Sequence, residues 1–415
     1  MEKTALCNKD LGVRMIWVLL VLFGCFPLKG VCQTAEATVD ALTKVGFENV
    51  RWTENATERV YLLENTVYRL IGDGIKMAVA VVNKTGLPSG KACRIVVLDN
   101  NVPQLSLLRL PSDTHTKETY EHWVTSYELG DSWKDALKQP VKNSSLYKVD
   151  LVFYPELGLQ NLVRTQIYQV LFNLSPAIEV SLWKGMKIHA QMILPIYHDG
   201  YPTLYKKVRP GFVGVSQTVR LPYNIWGTLT VGHFNNHRYG ADLQVKQRFT
   251  GNGRFGLEGR LGYTAMGYWN GFTYHYDTEP MLTWSVGGYF YLPRYNIETT
   301  LKVEQYLFGE RGVRMDVIRH FKYASVGFYV MRADNKEILT NGGFRFQVAL
   351  PSYGRYKRKG HVPRIAMSPN MGMAYNATND QFHYKSYRSA AYQNIMQNNR
   401  FNPYYIKTEL ETIKK

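Results

Sequence analysis

The sequence predicts a mainly β protein: a transmembrane antiparallel β-barrel of about 12 to 16 strands, preceded by a small α+β domain. Three observations support this fold class. The first is a series of strands between Leu282 and Leu350 that alternate apolar and polar residues. The second is the length of chain over which this alternation continues, and the third is an apolar leader at the N-terminus. Of the 415 residues, 45% are hydrophobic and 20% are charged, which is typical of a folded chain and excludes a disordered one.

The stretch from Leu282 to Leu350 alternates apolar and polar residues with a period of two. Leu301 and Val303, for example, flank Lys302. Successive side chains of a strand point to opposite faces of its sheet. Each strand of this stretch therefore has one apolar face and one polar, often charged, face.

The same alternation begins near Tyr147 and continues without a linker, which distinguishes two architectures. A soluble sandwich packs its apolar faces in a dry core and usually closes after seven to nine strands and about 100 residues. A membrane barrel turns its apolar faces to lipid and its polar faces to a lumen. Without an apolar helix of about 20 residues, a chain crosses a bilayer only as a closed sheet. Residues 146–375 are therefore predicted to form an outer-membrane barrel, and a soluble β-rich protein is the alternative.

The N-terminus has the organisation of a secretory signal. Basic residues precede an apolar block from Met15 to Pro27, and small residues follow it at 30–32. This pattern predicts a signal peptide over residues 1–32 and a mature chain that starts near Gln33. The block is short for a transmembrane helix, which needs about 20 apolar residues. A lipoprotein site at Cys25 is the alternative reading.

Cysteine use and charge divide the chain further. Three of the four cysteines lie in the leader, so Cys93 is alone in the mature chain and an intrachain disulfide framework is excluded. The net charge of +17 consists of +2 in residues 1–32, −1 in residues 33–145 and +16 in residues 146–415. The positive charge thus belongs to the strand-rich part.

Outside the predicted barrel region the strand-like alternation of apolar and polar residues ends. Residues 33–129 mix helical and strand patterns and predict a small α+β domain, which the leader would place in the periplasm. Within it, residues 112–126 predict a capped helix. Residues 130–145 predict a polar linker with some helical tendency, and residues 376–415 predict a polar C-terminal tail with one helix.

Single polar motifs give little support for catalysis. The segment Gly251–Gly256 matches G-x-G-x-x-G but joins two strands, which predicts a hairpin turn instead of a dinucleotide site. His233 and His237 could share a metal on a helix, whereas in a strand and turn they would diverge as surface histidines. Cys93 has no evident activating partner, and hydrolase, zinc-protease and P-loop patterns are lacking. We therefore predict no catalytic residue, cofactor or metal.

Basic residues outnumber acidic ones on the polar faces of the strands. A lumen with a positive bias would attract polyanions such as acidic polysaccharide or lipopolysaccharide phosphate. The alternative is that basic residues gather on loops or at lipid headgroups. The predicted lumen-lining basic residues are Lys187, Arg248, Arg260, Lys302, Arg314 and Arg345.

Two segments resemble a known family. Residues 306–319, followed by residues 326–329 and 342–351, look like the closing region of YjbH-type outer-membrane exopolysaccharide and capsule proteins. Residues 61–69 resemble the Y-E-N-x-x-Y-R signature of that family's small periplasmic domain, with Leu63 in place of the expected tyrosine. The matching motif residues are Glu64, Asn65, Tyr68, Arg69, Gly309, Gly312 and Arg314.

The resemblance implies a non-enzymatic outer-membrane protein of a Gram-negative bacterium that takes part in export or assembly of an exopolysaccharide, capsule or biofilm matrix. The implied partners are outer-membrane lipid, acidic polysaccharide and the periplasmic or lipoprotein components of a secretion system, without nucleic acid. Two alternatives stay open. One is a barrel lipase or acyltransferase that uses a serine and one of His189, His233 and His237. The other is a soluble periplasmic binding protein.

Overall fold

The computed structural model describes residues 34–111, 123–160, 169–334, 340–351, 357–358, 362–376 and 385–411. The predicted signal peptide lies outside the described residues, as does most of the helix predicted over residues 112–126. The described residues form two sheets, one of five strands and one of fifteen. This confirms the mainly β fold class.

The smaller sheet has the order β1-β2-β3-β4-β5. All of its neighbours pair antiparallel except β2 and β3, which are parallel because helix α2 connects them as a crossover. The strands are β1 Glu48–Glu54, β2 Glu58–Glu64, β3 Ala92–Asp99, β4 Val102–Arg109 and β5 Val124–Ser126. The helices are α1 Ala35–Val45, α2 Ile71–Thr85 and α3 Trp133–Lys138.

The two faces of the smaller sheet are both covered. Helices α1 and α2 pack on one face, where Leu42 and Ile75 meet Tyr61 in one buried cluster. Helix α3 packs on the other face against Val60 and Leu62. Two predicted boundaries differ from this arrangement. Residues 124–126 are strand β5 and not the end of a helix, and the predicted linker at residues 130–145 contains α3 and packs on the sheet.

The larger sheet has fifteen described strands, a number within the predicted range. Strands β6 to β12 and β14 to β18 pair antiparallel with their neighbours in sequence, and β13 pairs only with β12. The strands are β6 Val149–Gln160, β7 Gln169–Trp183, β8 Met186–Asp199, β9 Arg209–Leu221, β10 Ile225–Phe234, β11 Arg238–Arg248, β12 Phe255–Asn270, β13 Thr273–Tyr276, β14 Met281–Leu292, β15 Ile297–Gln305, β16 Arg311–His320, β17 Ala324–Ala333, β18 Thr340–Ala349, β19 Arg364–Met367 and β20 Asn370–Asn376.

One run of chain, residues 364–376, joins the two edges of the larger sheet, and we call it the seam. Its first part, β19, pairs in parallel with β6, and its second part, β20, pairs antiparallel with β18. Between them, Ser368 N donates a hydrogen bond of 2.7 Å to Phe153 O in β6. Apart from the short β13 and β19, thirteen strands alternate in direction. Because that number is odd, β6 and β20 run in the same direction at the seam.

The faces of the larger sheet are inverted relative to a soluble sandwich. Apolar side chains are exposed, with Val286 at 60%, Leu301 at 56% and Phe328 at 63%. Charged side chains on the opposite face are buried, with Asp242 at 0% and Glu304 at 7%. A sandwich would bury the apolar face instead. The larger sheet therefore has an apolar exterior and a polar interior.

The connections at the two ends of the larger sheet differ in length. At one end, two residues join β7 to β8 and three join β9 to β10. The smaller sheet docks at this end, where Gly185 N donates to Asn100 O at 2.8 Å and Tyr127 N donates to Gly251 O at 2.6 Å. At the opposite end, nine residues join β8 to β9 and ten join β12 to β14, although three join β10 to β11. The small domain thus covers the end that has the short turns.

Residues 385–411 follow a path that differs from the predicted tail. They contain two short helices, α4 Ile395–Asn398 and α5 Pro403–Glu411, and contact the polar interior of the larger sheet. In α5, Ile406 and Leu410 are buried in the core of the small domain. None of the helices among the described residues is long and apolar enough to cross a membrane.

Candidate functional site

A polar cavity of about 1750 Å³ lies inside the larger sheet. Its walls are the inner faces of strands from β6 to β20, and the C-terminal segment and one edge of the small domain also contribute to it. Arg248 lies on the same face but is buried and does not line the cavity, and its guanidinium lies 3.5 Å from the centre of the Tyr289 ring. The other predicted basic residues all line the cavity, namely Lys187, Arg260, Lys302, Arg314 and Arg345.

Each of the six predicted basic residues pairs with an acidic side chain. The prediction counted acidic residues on the same faces but did not include this pairing. Burying a charge without a partner is costly, so a protein interior pairs its charges. The pairs neutralise most of the predicted bias within the wall. They are Arg248–Glu258 and Arg260–Asp242 at 2.6 Å, Lys302–Glu304 and Arg314–Asp316 at 2.7 Å, Arg345–Asp316 at 3.9 Å, and Lys187–Glu179.

Four other basic side chains line the cavity without an ion pair to any described residue: Lys246, Arg209, Arg238 and Arg388. Arg209 instead donates to three backbone carbonyl oxygens at 3.1 to 3.2 Å. The alternation along β11 could have identified Lys246, since it lies on the same face as Arg248. Arg388 belongs to the predicted tail, where no periodic pattern indicates an inward position.

The motif residue Glu64 connects three parts of the small domain. It is buried at the end of β2 and accepts hydrogen bonds from Asn49 Nδ2 at 2.6 Å, Asn100 N at 2.8 Å and Asn101 N at 3.0 Å. Burial raises the pKa of Glu64 to about 6, and the nearby Asp99 carboxylate acts in the same direction. Glu64 thus holds the turn between β3 and β4 against β1, at the edge that faces the cavity.

We expect the stability of the small domain to fall as pH rises through this range. The folded-state pKa of Glu64 lies above the ordinary value of 4.5, so the folded domain favours the protonated carboxyl. Its contribution is present below pH 4.5 and is lost as pH rises through about 6, at a cost of about 2 kcal/mol. Glu64→Gln should reduce this slope. Pulse proteolysis of the full chain between pH 4.5 and 7.5 measures it.

Glu54→Gln is the control for this experiment. Hydrogen bonds from Lys91 and Arg59 lower the pKa of Glu54, so Glu54 titrates below the tested window. The Glu54 variant should therefore keep the pH slope of the unsubstituted protein. Equal slopes in the unsubstituted protein and the Glu64 variant would show that Glu64 does not cause the dependence.

The next motif residues form a turn that reaches the larger sheet. Asn65 Oδ1 accepts a hydrogen bond from Tyr68 N at 2.9 Å, which closes a turn just before α2. Arg69 then extends out of the small domain and donates to Pro351 O at 3.1 Å and to Met367 O at 2.8 Å. Met367 belongs to the seam. The family-like motif thus places an arginine where the two edges of the larger sheet meet.

The other motif residues lie at the end of the larger sheet that is remote from the small domain. Gly309 has a φ of +89° in the turn between β15 and β16, a conformation that favours glycine. A Cβ atom at Gly312 would lie 2.6 Å from Arg332 O, so only glycine allows β17 to approach this closely. Arg314 binds Asp316 through two nitrogens, at 2.7 and 2.8 Å. The structure therefore does not bring these residues together with Glu64 to Arg69.

The three candidate histidines do not form one site. His189 is buried, has no hydrogen-bond partner among the described residues and lies edge-on to the Tyr392 ring at 6.2 Å. The ring nitrogens of His233 lie 2.9 and 3.2 Å from backbone carbonyl oxygens. His237 packs edge-on to Tyr268 at 5.5 Å, and both His233 and His237 are half-buried. In the described part of the chain, no three His, Cys, Asp or Glu side chains are grouped as a metal would require.

A fourth histidine has hydrogen bonds like those of a serine hydrolase. Ser325 Oγ lies 2.9 Å from His320 Nδ1, and His320 Nε2 lies 3.1 Å from Glu298 Oε2. Ser325 is only 1% exposed, and neither Ser325 nor His320 lines the cavity. The Tyr405 ring of α5 packs edge-on to His320 at 6.1 Å. Since no substrate reaches the hydroxyl in this conformation, the three side chains act here as a buried, mutually satisfied polar network.

The fold and cavity define a class: a mainly β protein whose large sheet has an apolar exterior and a polar interior cavity. No known protein family, characterised protein or solved structure matches the chain. The resemblance to YjbH-type proteins therefore stays a prediction.

Proposed function

We propose that the larger sheet is a β-barrel in the outer membrane of a Gram-negative bacterium. We further propose that the protein takes part, without catalysing a reaction, in export or assembly of an exopolysaccharide or capsule. The observation that carries the membrane part is the exposed apolar face, which includes Val286, Leu301 and Phe328. Apolar surface costs roughly 25 cal/mol per Å² when left in water. Lipid tails would cover such a surface along the whole circumference.

The polar interior suits a passage for a hydrated polymer. Hydroxyl, amide and charged side chains line the cavity, so a sugar chain could exchange its hydrogen bonds with water for hydrogen bonds with the wall. Most charges are paired within the wall, as in Arg260–Asp242. Passage requires binding that is favourable enough for entry and weak enough for exit. A polar wall with internally paired charges meets both conditions.

The asymmetry of the sheet supports an orientation. Outer-membrane barrels have short periplasmic turns and longer extracellular loops. The end with the short turns is also the end that carries the small domain, which we therefore place in the periplasm. There it would meet the periplasmic or lipoprotein components of a secretion system. Bacterial barrels usually have an even number of strands, but membrane barrels with an odd number also exist. With thirteen alternating strands, this sheet follows the odd-numbered arrangement.

Deletion of the gene should reduce the polysaccharide on the cell surface and in the biofilm matrix. The unsubstituted gene should restore the polymer, because the barrel supplies its route to the surface. Measurement of cell-bound and released sugar separates a failure of export from a failure of synthesis. Unchanged polymer in the deletion strain would contradict the proposed function.

A second candidate function, a barrel lipase or acyltransferase, is favoured by one observation, the hydrogen-bonded chain from Ser325 to Glu298. Complementation with Ser325→Ala distinguishes the two functions. We expect this variant to restore the polymer and to leave the acyl chains of phospholipid and lipopolysaccharide unchanged. A shift in acyl composition on loss of the hydroxyl would assign the enzyme function instead.

A further inference from the structure

The C-terminal segment from residue 385 to residue 399 lies inside the cavity and is held against one side of its wall by Tyr387. The Tyr387 ring stacks on Phe234 of β10 with centroids 5.4 Å apart and an interplanar angle of 2°. Its hydroxyl donates to Asp242 Oδ1 of β11 at 3.1 Å. Arg260 of β12 donates to the carbonyl oxygen of Tyr387 at 2.9 Å. Three adjacent strands thus bind one residue of the segment.

The following residues of the segment contact other parts of the wall. The Tyr392 ring lies 5.0 Å from the Lys187 ammonium group of β8. Met396 N donates to Gln347 Oε1 of β18 at 2.8 Å, and Asn399 Oδ1 accepts from Tyr289 Oη of β14 at 2.9 Å. Strands β8, β14 and β18 are far apart in the order of the sheet. Within 13 residues, the segment therefore crosses the interior from one side to another.

The anchor of the segment differs in chemistry from its contacts with the wall. In α5, Ile406 and Leu410 are buried with the apolar core of the small domain. Just before α5, Arg400 forms an ion pair with Asp99 of the small domain at 2.5 Å. The contacts with the wall are hydrogen bonds and cation–π contacts, which water can replace in a wet cavity, together with one small apolar cluster of Tyr387 with Phe234 and Leu307. The segment can therefore leave the wall while α5 stays docked.

We propose that residues 385–399 form an internal plug that closes the passage and that α5 tethers this plug to the small domain. This proposal rests on the proposed barrel and adds the state in which the barrel is shut. The plug shifts between a bound and a released position. A polymer passes only after release, because the bound plug lies across its route.

Ion conductance of the purified full chain in planar lipid bilayers tests the plug without any polysaccharide. Tyr387→Ala with Tyr392→Ala removes the ring contacts on two sides of the wall. We expect the mean conductance to rise about tenfold or more, because the bound position loses its main contacts. The matched control is Tyr375→Ala, since this tyrosine of β20 points outward and is 51% exposed. The control should leave conductance unchanged.

A tether provides the opposite test. Gln244 Nε2 of β11 lies 3.4 Å from Ser389 Oγ of the plug, so Gln244→Cys with Ser389→Cys places two thiols within reach of a short bis-maleimide. Cys7, Cys25 and Cys32 are replaced by serine in this variant. Cys93 is buried, and burial raises its pKa to about 12, so its thiol does not compete. The cross-linked protein should stay closed at voltages that open the uncross-linked variant.

The outcomes separate the two proposals. A double alanine variant that is folded by heat-modifiable gel mobility but conducts like the unsubstituted protein overturns the plug. A cross-linked protein that conducts like its uncross-linked form overturns it as well. A purified protein that shows no heat-modifiable mobility and never inserts into the bilayer overturns the barrel itself, and the plug falls with it.

Discussion

Replacing Leu301 by lysine is expected to destabilise the membrane-inserted protein by about 2–4 kcal/mol, whereas lysine at the adjacent Thr300 is tolerated. Leu301 lies in the middle of β15 and is 56% exposed on the apolar exterior. Thr300 lines the polar cavity. The two positions share one strand and one local environment of backbone hydrogen bonds, so they differ only in the face to which the new charge points.

The expected size of the effect follows from the cost of a charge in hydrocarbon. An outward lysine near the middle of the bilayer destabilises a barrel by about 2–4 kcal/mol, whereas inward substitutions are much less costly. Urea unfolding of protein reconstituted in lipid vesicles measures the free energy of unfolding of both variants. If the Leu301 and Thr300 variants have equal free energies of unfolding, lipid does not contact this face. The same follows if Leu301→Lys unfolds with the free energy of the unsubstituted protein.

Asp316→Ala is expected to cost about 3–5 kcal/mol of unfolding free energy, since it leaves buried charges without their partner. The Asp316 carboxylate binds Arg314 through two hydrogen bonds, at 2.7 and 2.8 Å, and lies 3.9 Å from Arg345. Asp316 and Arg314 are each 7% exposed. Without the carboxylate, two guanidinium groups face one another inside the wall. Urea unfolding of the protein reconstituted in lipid vesicles measures the loss of unfolding free energy.

Two comparisons make this prediction specific to a buried pair. Asp135 pairs with Lys138 at 2.8 Å on α3, but both side chains are largely exposed, so Asp135→Ala should cost less than about 1 kcal/mol. Arg314→Met combined with Asp316→Leu removes both charges together and should recover most of the stability lost in Asp316→Ala. A cost for Asp316→Ala as small as that for Asp135→Ala would mean that water screens the interior pair.

Much of the larger sheet could be predicted because strand patterns are local. Leu301 and Lys302 are adjacent, so the backbone of a strand places them on opposite faces whatever the rest of the chain does. The same logic places Lys187, Arg260 and Arg345 on the polar face. Their partners were less accessible to prediction, because the carboxylate that neutralises Arg260 comes from Asp242 in the neighbouring strand. Strand register decides such contacts.

The N- and C-terminal parts were predicted less well, and the reason is again the range of the interactions. Residues 130–145 are polar and short of apolar periodicity, yet α3 covers a face of the small sheet that would otherwise be open. Residues 385–411 have no alternation at all. Their inward path depends on contacts such as that of Tyr387 with Phe234. These two residues are 153 positions apart, so the local sequence around neither of them predicts the contact.

The sequence by itself determined that the strands of this protein have one apolar and one polar face, because side-chain direction along a strand follows from local backbone geometry. Only the tertiary structure decided which face is enclosed, since that depends on how residues 364–376 join β18 to β6. It also decided that the C-terminal segment lies inside the sheet. The interior forms only when strands that are distant in sequence come together, so no local sequence pattern predicts which segment occupies it.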